Sequence, residues 1–173
     1  MIRPTAGLLG ALVLLTGPTA CRVPTRTLLT QARADDKAKR YDRACRGYYT
    51  VLRRSDLPAA ERLPLLRARV RCAHRTGTLG GLRASAQARI ARRPGDAEAH
   101  YVLGLAAMLA ADGKPAQALR HFADAQRANP AQVEYPYRRG RLLLAAERFA
   151  DAEQALRRVV KRKPRWAAPR IAL

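Results

Sequence analysis

Ala97 to Pro130 reads AEAHYVLGLAAMLAADGKPAQALRHFADAQRANP, and Val133 to Pro164 reads VEYPYRRGRLLLAAERFADAEQALRRVVKRKP. Each stretch is an apolar-periodic run, a turn, an Ala-rich second run and a terminal proline. Pro94, Pro130 and Pro164 recur at intervals of 36 and 34 residues, a period that marks stacked helical hairpins. The small residues explain how each hairpin closes. Gly104 and Gly140 stand where the first helix must approach its partner. Ala118 and Ala152 stand where the second helix crosses it, and Phe122 and Leu156 fill the space one turn later. Pro130 and Pro164 stop the second helix and turn the chain.

These residues resemble the tetratricopeptide repeat. Between Gly104 and Ala118 the spacing is fourteen rather than twelve, so the turn around Ala110 to Asp112 should be longer. Tyr41, Ala44, Tyr48 and Val51 reproduce the second-helix spacing in a first repeat. A degenerate second repeat has Val70, Leu82 and Arg89 at positions usually small, but keeps Gly77 and Pro94. Pro58 to Glu61 should form a separate turn, because Pro64 would break a helix running through it. The resemblance implies an all-α fold, a right-handed superhelical α-solenoid of four repeats at 25–58, 63–96, 97–132 and 133–166. Residues 1–20 precede it as a signal, 21–24 as a lipidation site and linker, and 167–173 follow as a tail. Trp166 and that tail are expected to cap the array or mark a dimer contact.

The chain has 173 residues, with 34 Lys and Arg against 13 Asp and Glu, a net charge of +21. Only 5% of residues are aromatic, so the core must be built from Ala and Leu, as close-packed helices allow. Arg outnumbers Lys 29 to 5, which fits phosphate binding and a GC-rich genome equally. Charge alone names no partner. By repeat, the basic and acidic counts are 9 and 4 (25–58), 9 and 2 (59–96), 3 and 3 (97–132), then 10 and 4 (133–166). The third repeat is neutral.

Ala6 to Thr16 is a short apolar run ending at Gly17-Pro18-Thr19-Ala20-Cys21, too short for a span of about 20 residues and suited to a secretory signal. Small residues before Cys21 resemble the lipobox of bacterial lipoproteins, with Pro18 where the family usually has Leu. That resemblance implies acylation of Cys21 by palmitate-type chains and export to the periplasmic side of a membrane, the outer membrane if the source is Gram-negative, since Arg22 replaces the retention Asp. Ordinary secretion and an uncleaved anchor are the rival readings.

An oxidising compartment would permit a disulfide between Cys45 and Cys72. The other reading is two small buried thiols, and neither cysteine has zinc-ligand spacing. His74, His100 and His121 lie on different helices with no carboxylate at a triad or metal spacing, and no phosphate loop, HExxH or nucleophile elbow occurs. No enzyme, cofactor, metal or small-molecule substrate is expected.

In the resembled family the first helices line a concave groove. The inner face would then be Arg26, Leu29, Arg33 and Asp36; Arg67, Arg71, His74 and Arg75; Tyr101, Leu105 and Met108; and Tyr137, Arg138, Arg141 and Leu144. This describes an apolar, aromatic middle flanked by arginine clusters, suited to another protein or a peptide with an apolar anchor between acidic residues. Some relatives clamp a C-terminal carboxylate. Arg67, Arg71 and Arg138 could serve, yet Val102 and Glu134 stand where polar and basic partners are expected. The expectation is a non-enzymatic interaction scaffold held to the membrane by its lipid. The alternative is an electrostatic binder of anionic lipid, lipopolysaccharide or cell-wall polymer. Nucleic acid is not expected for an exported chain.

Overall fold

In a computed structural model of the chain, the described residues are 23–110 and 113–166. The signal 1–20, the lipidation site at Cys21 and the tail 167–173 lie outside them. The described residues form α1 (Thr25–Lys37), α2 (Tyr41–Leu52), α3 (Ala59–Arg75), α4 (Leu79–Arg92), α5 (Ala97–Leu109), α6 (Pro115–Ala128), α7 (Glu134–Ala145) and α8 (Phe149–Arg162), with no strand among them. Consecutive helices pair as hairpins, and the hairpins stack into an α-solenoid.

The glycines close the hairpins as the sequence requires. A Cβ on Gly104 would sit 2.6 Å from the Phe122 ring, and one on Gly140 would sit 2.7 Å from Leu156 Cγ. Both partners are fully buried, so the contact is helix against helix. The first hairpin uses a glycine on the other helix: a Cβ on Gly47 in α2 would meet the Ala32 Cβ of α1 at 2.7 Å. In the second hairpin Val70 replaces the small residue, and α3 and α4 pack most loosely of the four pairs.

Three of the four intra-hairpin turns are 38–40, 76–78 and 146–148, whereas α5 and α6 are joined by 110–114, the longer connection expected from the spacing. The three short turns share one hydrogen-bond pattern. Arg40 N–H donates to Asp35 O at 2.8 Å, Thr78 N–H to Ala73 O at 2.9 Å and Arg148 N–H to Leu143 O at 2.9 Å. This 6→1 closure needs a left-handed residue just past the helix. Gly77 supplies it at φ 71°, but Lys39 and Glu147 adopt φ 59° and 55° without being glycine.

One expectation is corrected. The segment Pro58 to Glu61 is not a separate turn but the N-cap and first turn of α3, which runs through Pro64 to Arg75. Pro64 is the sixth residue of that helix. Its missing N–H therefore deletes a single bond close to the end, where the loss is least, and Pro58 ends the preceding connection in extended backbone.

The middle of the array is α5, buried along Ala99–Ala107. A helix apolar on all sides must be covered on all sides, and α3, α4 and α6 pack around it. Tyr101, Phe122 and Tyr135 meet there, with ring centroids 6.0 and 5.4 Å from Tyr101. Smaller clusters seal the fourth hairpin, where Trp166 packs on Tyr137 at 4.6 Å between ring centroids.

Candidate binding face

The face built by the first helices is laced by ion pairs between hairpins. Arg33 on α1 reaches Glu61 on α3 at 2.8 Å, and Arg71 on α3 reaches back to Asp36 on α1 at 3.3 Å. Arg62 grips Glu98 at the start of α5 through Nε at 2.6 Å and Nη2 at 3.0 Å. Arg67 spans from α3 to Glu134 on α7 at 3.1 Å. Because α3 and α7 belong to the second and fourth hairpins, the superhelix must curl enough to bring alternate hairpins together.

Glu134 is the node of this network. Its Oε1 accepts from Arg138 Nε at 2.8 Å, from Arg67 Nη1 at 3.1 Å and from the Tyr101 hydroxyl at 3.2 Å. Burial, then the neighbouring Glu134 carboxylate, push the Tyr101 phenol well above its ordinary value. Burial alone would lower Arg138, but Tyr101 and Glu134 outweigh it and hold the guanidinium charged. Asp36 is a second node, accepting from Tyr48 Oη at 3.1 Å as well as from Arg71.

The expected groove residues therefore divide. Tyr101 and Leu105 are buried core side chains rather than groove lining, because α5 is covered by its neighbours; Tyr137 is likewise buried, beneath Trp166. Arg67, Arg71 and Arg138 are engaged by internal carboxylates. His74, Arg75, Arg141 and Met108 are exposed, with Arg75 5.9 Å from the Tyr41 ring centroid and Arg141 3.4 Å from the Tyr137 hydroxyl. Arg89, unexpected at a small-residue position, bonds Asp96 through Nε at 3.0 Å and Nη2 at 2.9 Å, while Asp96 caps α5 by accepting from Ala99 N–H at 3.0 Å. That pair ties the degenerate second repeat to the third.

Cys45 and Cys72, the candidate disulfide pair, are both free thiols. The two thiols neighbour one another, with Cys45 Sγ also 3.9 Å from Arg69 O and Cys72 Sγ 3.8 Å from Asp36 Oδ1. Burial, then the charge of Asp36, push the Cys72 thiol up to about 12, which favours its protonated form.

What the curl leaves open is a cleft of about 660 Å³ between the N-terminal half of α3 and the two ends of the fourth hairpin, lined by Leu63, Pro64, Val133, Glu134, Lys163 and Trp166. Sequence reasoning missed this cleft because its walls come from the second and fourth hairpins, far apart along the chain.

The histidines are also a correction. His100 on α5 and His121 on α6 do not lie apart: their Nδ1 atoms are 3.5 Å from one another, and Asp124 Oδ2 is 3.8 Å from His100 Nδ1. The i, i+3 spacing of His121 and Asp124 was the signal in the sequence; the partner from the neighbouring helix was not.

Residues 109–172 match the family model of the tetratricopeptide repeat. The described residues share the fold of tetratricopeptide repeat proteins. The same fold recurs in a thermophilic tetratricopeptide repeat protein of Thermus thermophilus, TTC0263, at 21% identity and a TM-score of 0.59, covering 87% of this chain and 79% of that one. MamA from Desulfovibrio magneticus RS-1 gives 17% identity and 0.53, covering 83% and 77%. YrrB, described as a tetratricopeptide repeat protein with an unusual peptide-binding site, gives 17% and 0.53, covering 86% and 73%. No curated protein matches the chain in sequence. Tetratricopeptide repeat folds serve as protein-interaction scaffolds, and the stacked hairpins here have that architecture.

Proposed function

We propose that this tetratricopeptide repeat array is an interaction scaffold that takes an extended acidic peptide with an apolar anchor in the cleft between α3 and the fourth hairpin. The observation that carries the reading is the cleft's chemistry: an apolar floor of Leu63, Pro64, Val133 and Trp166 beside Lys163 and Arg165. Among the described residues, nine carboxylates are already paired to arginine within the fold. The surplus cation must therefore find its counter-charge outside. A guanidinium or ammonium at the rim selects carboxylates, while the floor rewards an aromatic or leucine anchor. That YrrB has a peptide-binding site supports peptide recognition by this fold.

Trp166 is the chain's single tryptophan and lies in the cleft, so its fluorescence reports occupancy. A designed peptide with a Leu-Phe pair between two acidic blocks should shift that emission saturably and keep much of its affinity in roughly 0.5 M salt, where long-range charge attraction is screened. Leu63→Asp should abolish the shift. If a control peptide lacking the apolar pair binds equally well, and both are lost in salt, the chain is instead a binder of anionic surfaces and the cleft reading fails.

We place the scaffold on the periplasmic side of a bacterial membrane, held by a lipid on Cys21, on the strength of the Thr19-Ala20-Cys21 junction after an apolar run. Radiolabelled fatty acid should enter the protein and be lost in Cys21→Ser; label retained in that variant would remove the anchor.

A further inference from the structure

We propose that His100, His121 and Asp124 form a binding site for a borderline divalent transition-metal ion of the zinc class, clamping α5 to α6. Their ligand atoms lie within 4.8 Å of one another, although they come from two helices and none belongs to the peptide cleft. Tetrahedral zinc with bonds of about 2.05 Å separates two nitrogen ligands by about 3.3 Å. The Nδ1 atoms of His100 and His121 stand at 3.5 Å. The carboxylate needs only a small rotation from its 3.8 Å position.

The outer contacts fit a ligand set. His100 Nε2 lies 2.9 Å from the carbonyl of Pro94. A carbonyl can only accept, so Nε2 carries the proton and Nδ1 presents its lone pair toward His121 and Asp124. A backbone carbonyl holding the far ring nitrogen is the usual means of fixing a ligating imidazole. Two imidazoles and one carboxylate suit zinc, cobalt or nickel rather than magnesium or calcium, which take oxygen ligands. Three protein ligands leave a fourth position for water or a partner's side chain. Arg127 pairs with Asp124 from the exposed end of α6, and Arg120 and Arg83 add positive charge near His121. The affinity is therefore expected to be micromolar rather than nanomolar.

The test is calorimetric titration of the untagged chain with Zn²⁺, backed by the visible absorption of Co²⁺. One saturable site is expected, with cobalt d–d bands and no thiolate charge transfer, and no heat with Mg²⁺. His121→Ala should weaken Zn²⁺ by about 100-fold, at least the loss that removing an outer partner brings. Asp124→Asn, nearly isosteric and partly exposed, should weaken it by about tenfold or more. Arg127→Ala should tighten it severalfold by freeing the carboxylate. The double variant Cys45→Ser, Cys72→Ser should bind as the wild type does. Absence of a saturable site in the wild type, unchanged affinity in His121→Ala and Asp124→Asn that still fold by circular dichroism, or loss confined to the cysteine variant, would each overturn the assignment.

Discussion

Glu134→Ala should be the most damaging single substitution on the inner face, and the structure sets its size. The carboxylate closes three contacts, at 2.8 Å to Arg138, 3.1 Å to Arg67 and 3.2 Å to Tyr101. Arg67 is 38% exposed at its side chain, so water replaces much of that pair, and its loss contributes well under about 1 kcal/mol. The Arg138 bond, with 22% and 16% exposure at its two ends, is charge-assisted and half-buried, and contributes about 1 kcal/mol. The Tyr101 hydroxyl is the expensive part, since the residue is fully buried and an orphaned buried donor costs about 1–3 kcal/mol. The total is about 3 kcal/mol. At a urea dependence of about 1.5–2 kcal/mol/M, the midpoint followed by helical circular dichroism should fall by about 1.5–2 M. Because Glu134 links the second and fourth hairpins, the transition should also broaden as the array loses cooperativity. Tyr101→Phe removes the orphan, so adding it to Glu134→Ala should recover about 1–2 kcal/mol. Strict additivity of the two substitutions, or a midpoint shift below about 0.3 M for Glu134→Ala, would refute the account of Glu134 as the node.

Gly104→Ala drives a methyl into the buried Phe122 ring at 2.6 Å; overpacking of about 1–3 kcal/mol less a helix-propensity gain of about 1 should lower stability by about 1 kcal/mol. Gly81→Ala, with nothing within 4 Å of the added carbon, should instead raise stability by about 0.5–1 kcal/mol, and thermal melts of the two variants should move in opposite directions. Glu147→Gly relieves a left-handed residue at φ 55° and should gain about 0.5–1 kcal/mol in the same melt. For Asp96, burial alone would raise the carboxyl's pKa, but the Ala99 amide and Arg89 outweigh it and hold it below the ordinary 3.8. A depressed folded value gives stability that is present above 3.8 and lost as pH falls through the folded value. Asp96→Ala should therefore cost about 1–2 kcal/mol at neutral pH, and in acid melts the gap from the wild type should narrow only below that ordinary value; a gap independent of pH would refute the cap.

How far the sequence was legible follows the distance over which each contact is made. Gly104 with Phe122, and Gly140 with Leu156, are contacts inside one hairpin, so a fixed spacing along the chain fixes them in space. The longer 110–114 connection was readable for the same reason. Arg67 with Glu134 was not: the pair joins alternate hairpins, and whether α3 reaches α7 depends on how strongly the superhelix curls, a sum of small rotations at each interface that no local spacing records. The cleft at Leu63, Val133 and Trp166 is a product of the same curl and was hidden with it. His100 needed a partner from the next helix, and only two of the three residues of its cluster, His121 and Asp124, shared a helix face.

The neutral third repeat is where the physical reading changes most. A charge balance of zero over 97–132, between basic neighbours, suggests a groove whose middle is apolar to suit a ligand. Yet α5 supplies few charges because it has no exposed face on which to carry them: it is apolar from Tyr101 through Ala107 and buried along that whole length. A helix with no polar side cannot line a groove without exposing apolar surface that the fold would gain by covering. Covering it is what α3 does, and Arg67, which in the sequence flanks an open middle, is instead held by Glu134. The charge pattern along the repeats thus reports burial depth first. In the proposed reading, a partner would be chosen where surplus cation borders apolar surface, at Lys163 and Arg165 beside Trp166.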